Sequence, residues 1–227
     1  APPADPPAPG GLTAGWRFLA GAPILRAALA ATATLNLCTS MLIPLVTLYA
    51  LTVLGLPPGV LGVALGVGAI GSLIGAASAG PLARRCGVGV AFTAGCVLFA
   101  APLALIPLAH GAGCALILGA AEFGSSLGVM WLDVTVSSIS TACTPEHLRS
   151  RVFGAWQAVN FGVRPLGSLA GGVLGSALGL RGTLWVAVGG AIAALVWLAP
   201  SPLPRLRALP TPYETRGESS AIGDAVR

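Results

Sequence analysis

Three ionisable side chains, Glu122, Asp133 and Arg164, lie inside long apolar runs of this 227-residue chain. A charged group in hydrocarbon is costly and usually faces a cavity or a partner, so each one is a candidate functional residue. Eleven residues separate the two acids, which at about 100° per residue leaves them about 20° apart on one helix face. A carboxyl group in such a place can contact a cation or take up and release a proton.

Asp133 and Arg164 fall at comparable depths in consecutive apolar runs, which makes a salt bridge between them feasible. The pair would either hold two helices together or belong to a substrate or proton pathway. Glu122 has no basic residue at its depth, so it is either a proton or cation site or a protonated structural residue. Asn36 and Pro44 interrupt the first apolar run, as happens near the substrate path of transporters and also in plain packing.

The composition excludes a soluble protein. Hydrophobic residues make up 55% of the chain and charged residues only 8%, against about 25% charged residues in an ordinary soluble domain. The net charge of +5 comes from twelve arginines and no lysine, scattered between apolar runs, so no basic face for nucleic acid is expected. The five cysteines are dispersed without a CxxC pair, and we expect neither a metal site nor a cofactor.

Membrane-spanning helices carry all three of these residues. A span needs about 20 apolar residues. Six runs are long enough, at 27–54, 60–82, 88–109, 114–141, 153–178 and 182–200. The predicted fold is therefore an all-α bundle of six transmembrane helices within residues 16–204, preceded by a Pro-rich linker (1–15) and followed by a tail (205–227).

The arginines predict the orientation, because basic residues accumulate in short cytoplasmic loops. With the N-terminus inside, ten arginines are cytoplasmic, Arg181 alone is outside and Arg164 lies in the fifth span. The cytoplasmic set is Arg17, Arg26, Arg84, Arg85, Arg149, Arg151, Arg205, Arg207, Arg216 and Arg227. Six spans then return the C-terminus to the cytoplasm, in a multi-pass protein of the plasma (inner) membrane.

Glycines predict close helix packing. In the fifth span, Gly167, Gly171, Gly175 and Gly179 recur every four residues and form a ridge along one face, either within the bundle or at a dimer interface. The second span contains two glycine pairs with the same spacing, Gly62 with Gly66 and Gly71 with Gly75, and we expect them to pack in the same way. The GSSLG stretch at 124–128 formally matches a serine nucleophile pattern, but no histidine lies near it, so we interpret it as packing and do not expect an enzyme.

Two loops carry a family resemblance. GPLARRCG at 80–87 resembles the cytoplasmic signature of the major facilitator superfamily: Gly80, Leu82, Ala83, Arg85 and Gly87 agree, whereas Arg84 stands in place of the usual acid. TPEHLRSRVFGAW at 144–156 resembles the loop before helix eleven of these transporters. The agreeing residues there are Thr144, Pro145, Leu148, Arg149, Arg151 and Val152.

The run at 162–175 is similar to the bacterial branch that exports siderophores and macrolides, and the six spans resemble helices 7 to 12, the C-terminal half. This resemblance implies a secondary active transporter that works by alternating access, with proton-coupled efflux of a drug-like or siderophore-like molecule. The implied partners are that substrate, protons, the lipid bilayer and an N-terminal six-helix half, which we expect in a longer product.

The resemblance also places Asn36, Glu122 and Asp133 near the central cavity, with Glu122 in proton coupling or cation contact. The cytoplasmic loop residues would act as latches or as simple positive-inside anchors; they are Gly80, Arg84, Arg85, Gly87, Pro145, Arg149 and Arg151. A rival interpretation is a non-transporting membrane module, or a truncated fragment that serves as an assembly partner.

The predicted topology can be tested by cysteine labelling in intact cells. A single cysteine in the 110–113 loop should react with a membrane-impermeant maleimide added outside, and one at 84–87 should not. The reverse labelling pattern would contradict the orientation with both termini inside.

Overall fold

The computed structural model describes residues 13–198 and is helical throughout that part of the chain. Its helices are α1 (Thr13–Gly21), α2 (Pro23–Thr52), α3 (Pro58–Cys86), α4 (Val88–Leu103), α5 (Cys114–Cys143) and α6 (Glu146–Ala193), with short 3-10 turns at Ile106–Leu108, Gly111–Gly113 and Ala194–Leu198. Five helical segments of the described residues are long and apolar enough to cross a membrane. The all-helical, membrane-spanning fold is therefore confirmed.

Proline and glycine set several of the helix boundaries. Pro23 and Pro58 stand in the first turns of α2 and α3, where the missing N–H would have no helical partner in any case. Gly87, between α3 and α4, has a φ of 94°, a conformation that favours glycine. Pro44, expected as an interruption, lies inside α2, and the helix continues past it to Thr52.

The last two predicted spans are joined at Gly179, inside the segment assigned to α6. Gly179 has φ 75° and ψ 166°, which ends the first arm of the helix. Gly167 and Gly175 approach Leu37 and Leu45, whereas Gly190, after the break, lies beside Cys38. The chain therefore reverses at Gly179, where the sequence predicts a turn, and residues 180–198 return along α2.

Some predicted boundaries differ from the observed ones. The fifth span begins at Glu146 and not near 153, because Pro145 starts the helix directly after a very short connection. The third predicted span ends early at Leu103, and residues up to 109 continue as a 3-10 turn and loop. α1 begins at Thr13, so the predicted linker lies almost wholly outside the described residues, as does the tail at 205–227.

The helices form two packed groups. One group contains α3, α4 and α5; the other contains α1, α2 and both arms of α6. Helix α5 has few direct contacts with α2 or α6. The ends of α3 and α5 and the start of α6 form one end of the bundle, here called the arginine end because Arg84, Arg85 and Arg149 lie there. The opposite end, which contains Gly179, is the Gly179 end.

The predicted glycine ridge of α6 packs inside the bundle. Gly167 sits against the backbone of Leu37, and a Cβ at Gly171 would lie 2.9 Å from the carbonyl oxygen of Met41. These contacts bring the backbones of α2 and α6 together, as small residues permit in membrane helices. Gly167, Gly171 and Gly175 therefore form an intramolecular packing surface along α2, whereas Gly179, predicted as part of the same ridge, has nothing within 4 Å among the described residues and ends the helix arm.

Glycines also pack α5 against both of its neighbours. Gly71 and Gly75 of α3 meet the backbone of α5, and Gly128 of α5 meets the backbone of α4. The GSSLG stretch thus lies in a packed interface, as its small residues predict. Gly62 and Gly66, expected to pack in the same way, have no neighbour within 4 Å among the described residues, so that expectation is wrong for the bundle as described.

Adjacent glycines of α6 provide a matched stability test. In the Gly171→Ala variant the new methyl group meets Met41, and we expect overpacking to destabilise the protein by about 1–3 kcal/mol. Gly172→Ala is the control, because nothing lies within 4 Å of a Cβ there. Thermal unfolding in detergent, followed by size-exclusion chromatography, should show a lower midpoint for Gly171→Ala only. Equal midpoints would contradict the close approach of α6 to α2.

Candidate substrate cavity

A cavity of about 770 Å³ lies between the two helix groups. It is bounded by α2, α5 and the first arm of α6, with a contribution from α4. Its lining residues are Thr32, Leu35, Asn36, Thr39, Phe99, Val129, Leu132, Asp133, Val136, Ser137, Ser140, Thr141, Arg149, Ser150, Phe153, Trp156, Gln157, Asn160, Phe161 and Arg164. Hydroxyl and amide groups are mixed there with aromatic rings, a composition suited to an amphipathic small molecule.

The lining extends from the arginine end to about the middle of the bundle. At the arginine end it includes Arg149 and Ser150, in the first turns of α6. The deepest residues are Thr39 on α2, Val129 on α5 and Arg164 on α6. The cavity therefore reaches one end of the bundle and stops near mid-depth.

A polar network joins α2 to α6 at the deep end of the cavity. Asn36 Nδ2 donates to Asn160 Oδ1 at 2.9 Å and to the carbonyl oxygen of Thr32 at 3.0 Å. Asn160, which is only 5% exposed, donates from Nδ2 to the carbonyl oxygen of Trp156 at 3.1 Å. Each amide thus has a partner on its own helix and one across the interface, which satisfies polar groups that would otherwise be costly in an apolar setting.

Arg164 completes this network. Its Nε and Nη2 donate to Asn36 Oδ1 at 3.2 and 3.1 Å. The guanidinium carbon lies 4.5 Å from the centroid of the Phe161 ring, at the distance of a cation–π contact. The hydrogen bonds therefore fix the position of the guanidinium, and the ring contact fixes the orientation of its plane.

The salt bridge considered between Asp133 and Arg164 is not formed: no ion pair within 4.0 Å joins them in residues 13–198. Arg164 is eighteen residues from the start of α6 and Asp133 ten residues from the end of α5, or about 27 and 15 Å at about 1.5 Å per residue. The depth predicted for Arg164 was wrong because α6 begins at Glu146 and not near residue 153. Asp133 instead stands exposed in the same cavity, without a hydrogen bond to any described residue, and its charge interacts with that of Arg164 at longer range than an ion pair.

Glu122 lies outside the cavity lining, seven residues beyond Val129 toward the Gly179 end. It is half-buried on the side of α5 that meets α3, and its Cβ is 3.5 Å from the position a Cβ would take at Gly68. Within the described part of the chain its carboxyl group makes no hydrogen bond or ion pair.

Residues 28–222 match the sequence model of the Major Facilitator Superfamily. This match covers most of the chain and agrees with the helical, membrane-spanning fold. The chain belongs to the Major Facilitator Superfamily. Membership indicates a membrane transporter, with a small-molecule substrate and the lipid bilayer as its surroundings. No curated protein matches the chain.

The residues of the superfamily-like loops lie at the arginine end. Gly80, Arg84 and Arg85 are in the last turns of α3, and Gly87 begins the turn into α4. The buried Pro145 precedes α6. Arg149 donates from Nε to the carbonyl oxygen of Thr144 at 3.3 Å and also lines the cavity, a position the loop motif did not predict. The backbone carbonyl of Arg151 lies against Gly15 of α1.

Most of the uncharged cavity residues carry no signal in the sequence that singles them out one by one. Asn160 is the most important of them, because it supports Asn36. A signal was present in the spacing of α6: Trp156, Asn160 and Arg164 recur every four residues and therefore share one helix face. Polar and charged side chains that recur at this spacing in a membrane helix indicate a face turned toward a cavity.

A double-mutant cycle tests the network. Asn36→Ala and Asn160→Ala each remove one side of a partly buried hydrogen bond, so their destabilisations should be non-additive, with a coupling of about 0.5–1.5 kcal/mol. The measurement is chemical or thermal unfolding of the two single variants and the double variant in detergent.

The control cycle uses Asp133→Asn and Arg164→Gln, which change residues that share the cavity without an ion pair. We expect a smaller coupling for this pair than for the two asparagines. A larger coupling between Asp133 and Arg164 would show that the salt bridge, and not the amide network, dominates.

Proposed function

We propose that this chain is the C-terminal half, helices 7 to 12, of a proton-coupled exporter of the Major Facilitator Superfamily. The transported molecule is a small drug-like or siderophore-like compound, moved by alternating access. The observation that carries this proposal is the mixed polar and aromatic cavity, which reaches the arginine end and stops at mid-depth. Such a half-depth cavity is what one state of an alternating-access transporter requires.

The positive-inside bias supports an inward-facing state. Arginines concentrate at the end to which the cavity extends, and basic residues accumulate on the cytoplasmic side of a membrane. The substrate would then enter from the cytoplasm, consistent with export. The protein would be a multi-pass protein of the plasma membrane with both termini cytoplasmic, and the siderophore and macrolide exporter branch remains part of this proposal.

A six-helix partner half is supported by the apolar faces left uncovered in this chain. Leu166, Leu169 and Val173 of α6 are exposed by 60 to 68%, and Val63 and Leu73 of α3 by 70 and 74%. In water such faces would aggregate, whereas lipid or a second helical half covers them without cost. The alternative of a non-transporting module or assembly partner is not favoured by membership of a transporter superfamily.

Glu122 is the proposed proton-coupling residue. It is a half-buried carboxyl group without a hydrogen bond or ion pair to any residue of the described part, on the helix that also lines the cavity. Such a group can be neutral when shielded and release its proton when exposed to water, as a coupled exporter needs. Asp133, Asn36 and Arg164 are assigned to the substrate pathway, because all three line the cavity.

Efflux in cells tests the coupling role. The full-length protein, expressed in cells that lack their own exporters, should extrude at least one of three fluorescent probes: ethidium, carboxyfluorescein or Nile red. These probes differ in charge, so the assay does not assume a substrate class. Glu122→Gln should abolish efflux that a protonophore collapses, while the amount of protein in the membrane is unchanged.

Glu146→Gln is the matched control, because Glu146 is an exposed acid in the first turn of α6. It should transport as the unmodified protein does. If Glu122→Gln pumps at the unmodified rate under both acidic and mildly alkaline conditions, Glu122 is structural and the coupling role is wrong. If no probe is extruded by the unmodified protein, the exporter proposal itself fails.

A further inference from the structure

Arg164 carries a positive charge into the middle of the bundle, and no carboxylate of the described residues lies within ion-pair distance of it. Asp133, in the same cavity, interacts with this charge only at longer range. Its only hydrogen bonds within residues 13–198 go to Asn36 Oδ1, from Nε and Nη2. A guanidinium has five N–H groups, so three of them lack a protein acceptor in that part of the chain. Asp133 offsets part of the charge without occupying these N–H groups, so they remain open to a ligand with anionic oxygens.

The position of the guanidinium is fixed before any ligand arrives. Asn36 accepts from it while donating to Thr32 and Asn160, so the acceptor cannot rotate away without breaking two further hydrogen bonds. The Phe161 ring covers one face of the guanidinium. The N–H groups of the guanidinium form a planar fork, and a fork that is already fixed in place loses little conformational freedom on binding. This raises its affinity for a matching ligand.

The chemistry of the missing partner follows from the shape of the fork. Parallel N–H groups of a guanidinium match the two oxygens of a carboxylate in a bidentate, charge-assisted pair. Arg149 adds a second positive charge to the lining and Asp133 one negative charge, which leaves a net charge of +1 among the lining residues. That balance favours a single negative charge on the ligand over none or two.

The remainder of the cavity suits an aromatic or aliphatic body. Phe99, Phe153, Trp156 and Phe161 line it together with Leu35 and Leu132. We propose that Arg164, held by Asn36, binds the carboxylate of an amphipathic monoanionic substrate whose apolar body lies against these aromatic residues. This inference rests on the proposed transport function, because it assigns a substrate class to the same cavity.

Binding to the purified full-length protein in detergent tests the proposal without requiring transport. The probes are 2-naphthoate and its uncharged methyl ester, titrated separately and followed by calorimetry. The carboxylate should bind with an affinity at least about tenfold higher than the ester, because a charge-assisted pair is lost in the ester. In Arg164→Gln this preference should disappear while weak binding of the ester remains.

Two further variants separate the site from general stability. Arg164→Lys keeps the charge but loses the planar fork, so carboxylate affinity should fall by about tenfold while the protein stays folded. Arg26→Gln removes an arginine outside the cavity, whose side chain donates to the carbonyl oxygen of Ala20, and should leave the preference intact. Folding of each variant is checked by its elution as a single species.

The outcomes are decisive for the substrate class. Equal affinity for acid and ester, an unchanged preference in Arg164→Gln, or no binding of the carboxylate at millimolar concentration would each overturn it. If the unmodified protein still extrudes ethidium or Nile red in the cell assay, the exporter proposal stands and only the anion site is wrong. If transport is absent but carboxylate binding depends on Arg164, the site is right and the exporter proposal fails.

Discussion

The close approach of α6 to α2 is the contact on which the cavity depends. Glycines at 167 and 171 let the two backbones meet at Leu37 and Met41. That approach brings Asn160 and Arg164, on neighbouring turns of α6, within hydrogen-bond reach of Asn36. A side chain at either glycine would hold the helices apart and separate these polar groups. The packing of small residues and the chemistry of the cavity therefore have a common origin.

The polar groups of the membrane region are treated in two different ways. Asn36 and Asn160 pair with each other, as the cost of leaving amide groups unpaired in an apolar setting requires, and Asn36 also accepts from two N–H groups of Arg164. Asp133 and Glu122 have no hydrogen-bond partner among residues 13–198, although the charge of Asp133 interacts with that of Arg164. Asp133 faces the cavity and Glu122 the α3–α5 interface. Groups that the fold does not pair are the ones free to interact with a substrate or a proton, which is why the proposed function centres on them.

Much of the fold could be predicted from the sequence because a bilayer restricts the possibilities. Apolar runs of sufficient length gave the spans, and the four-residue glycine spacing gave a packing face that Gly167 and Gly171 confirm. The partner of Arg164 could not be predicted in the same way. Asp133 was chosen because its predicted depth in the membrane matched that of Arg164. The predicted start of α6 was seven residues too late, which shifts the depth of Arg164 by about 10 Å. Asn160 was missed because its four-residue spacing with Trp156 and Arg164 identifies a helix face but not the α2 side chain that this face meets.

The position of Glu122 limits how a proton could be coupled to a substrate. Glu122 and Val129 lie near one face of α5 but about 10 Å apart along the helix, at about 1.5 Å per residue, and the cavity stops at Val129. A proton on Glu122 therefore cannot act on a bound molecule by direct contact in this state. Gly71 and Gly75 join α3 to α5 backbone to backbone, so these helices are constrained to move together. Few contacts connect α5 with α2 or α6. Under the proposed mechanism, coupling would then act through displacement of the group of α3, α4 and α5 relative to α2 and α6, which changes the width of the cavity between them.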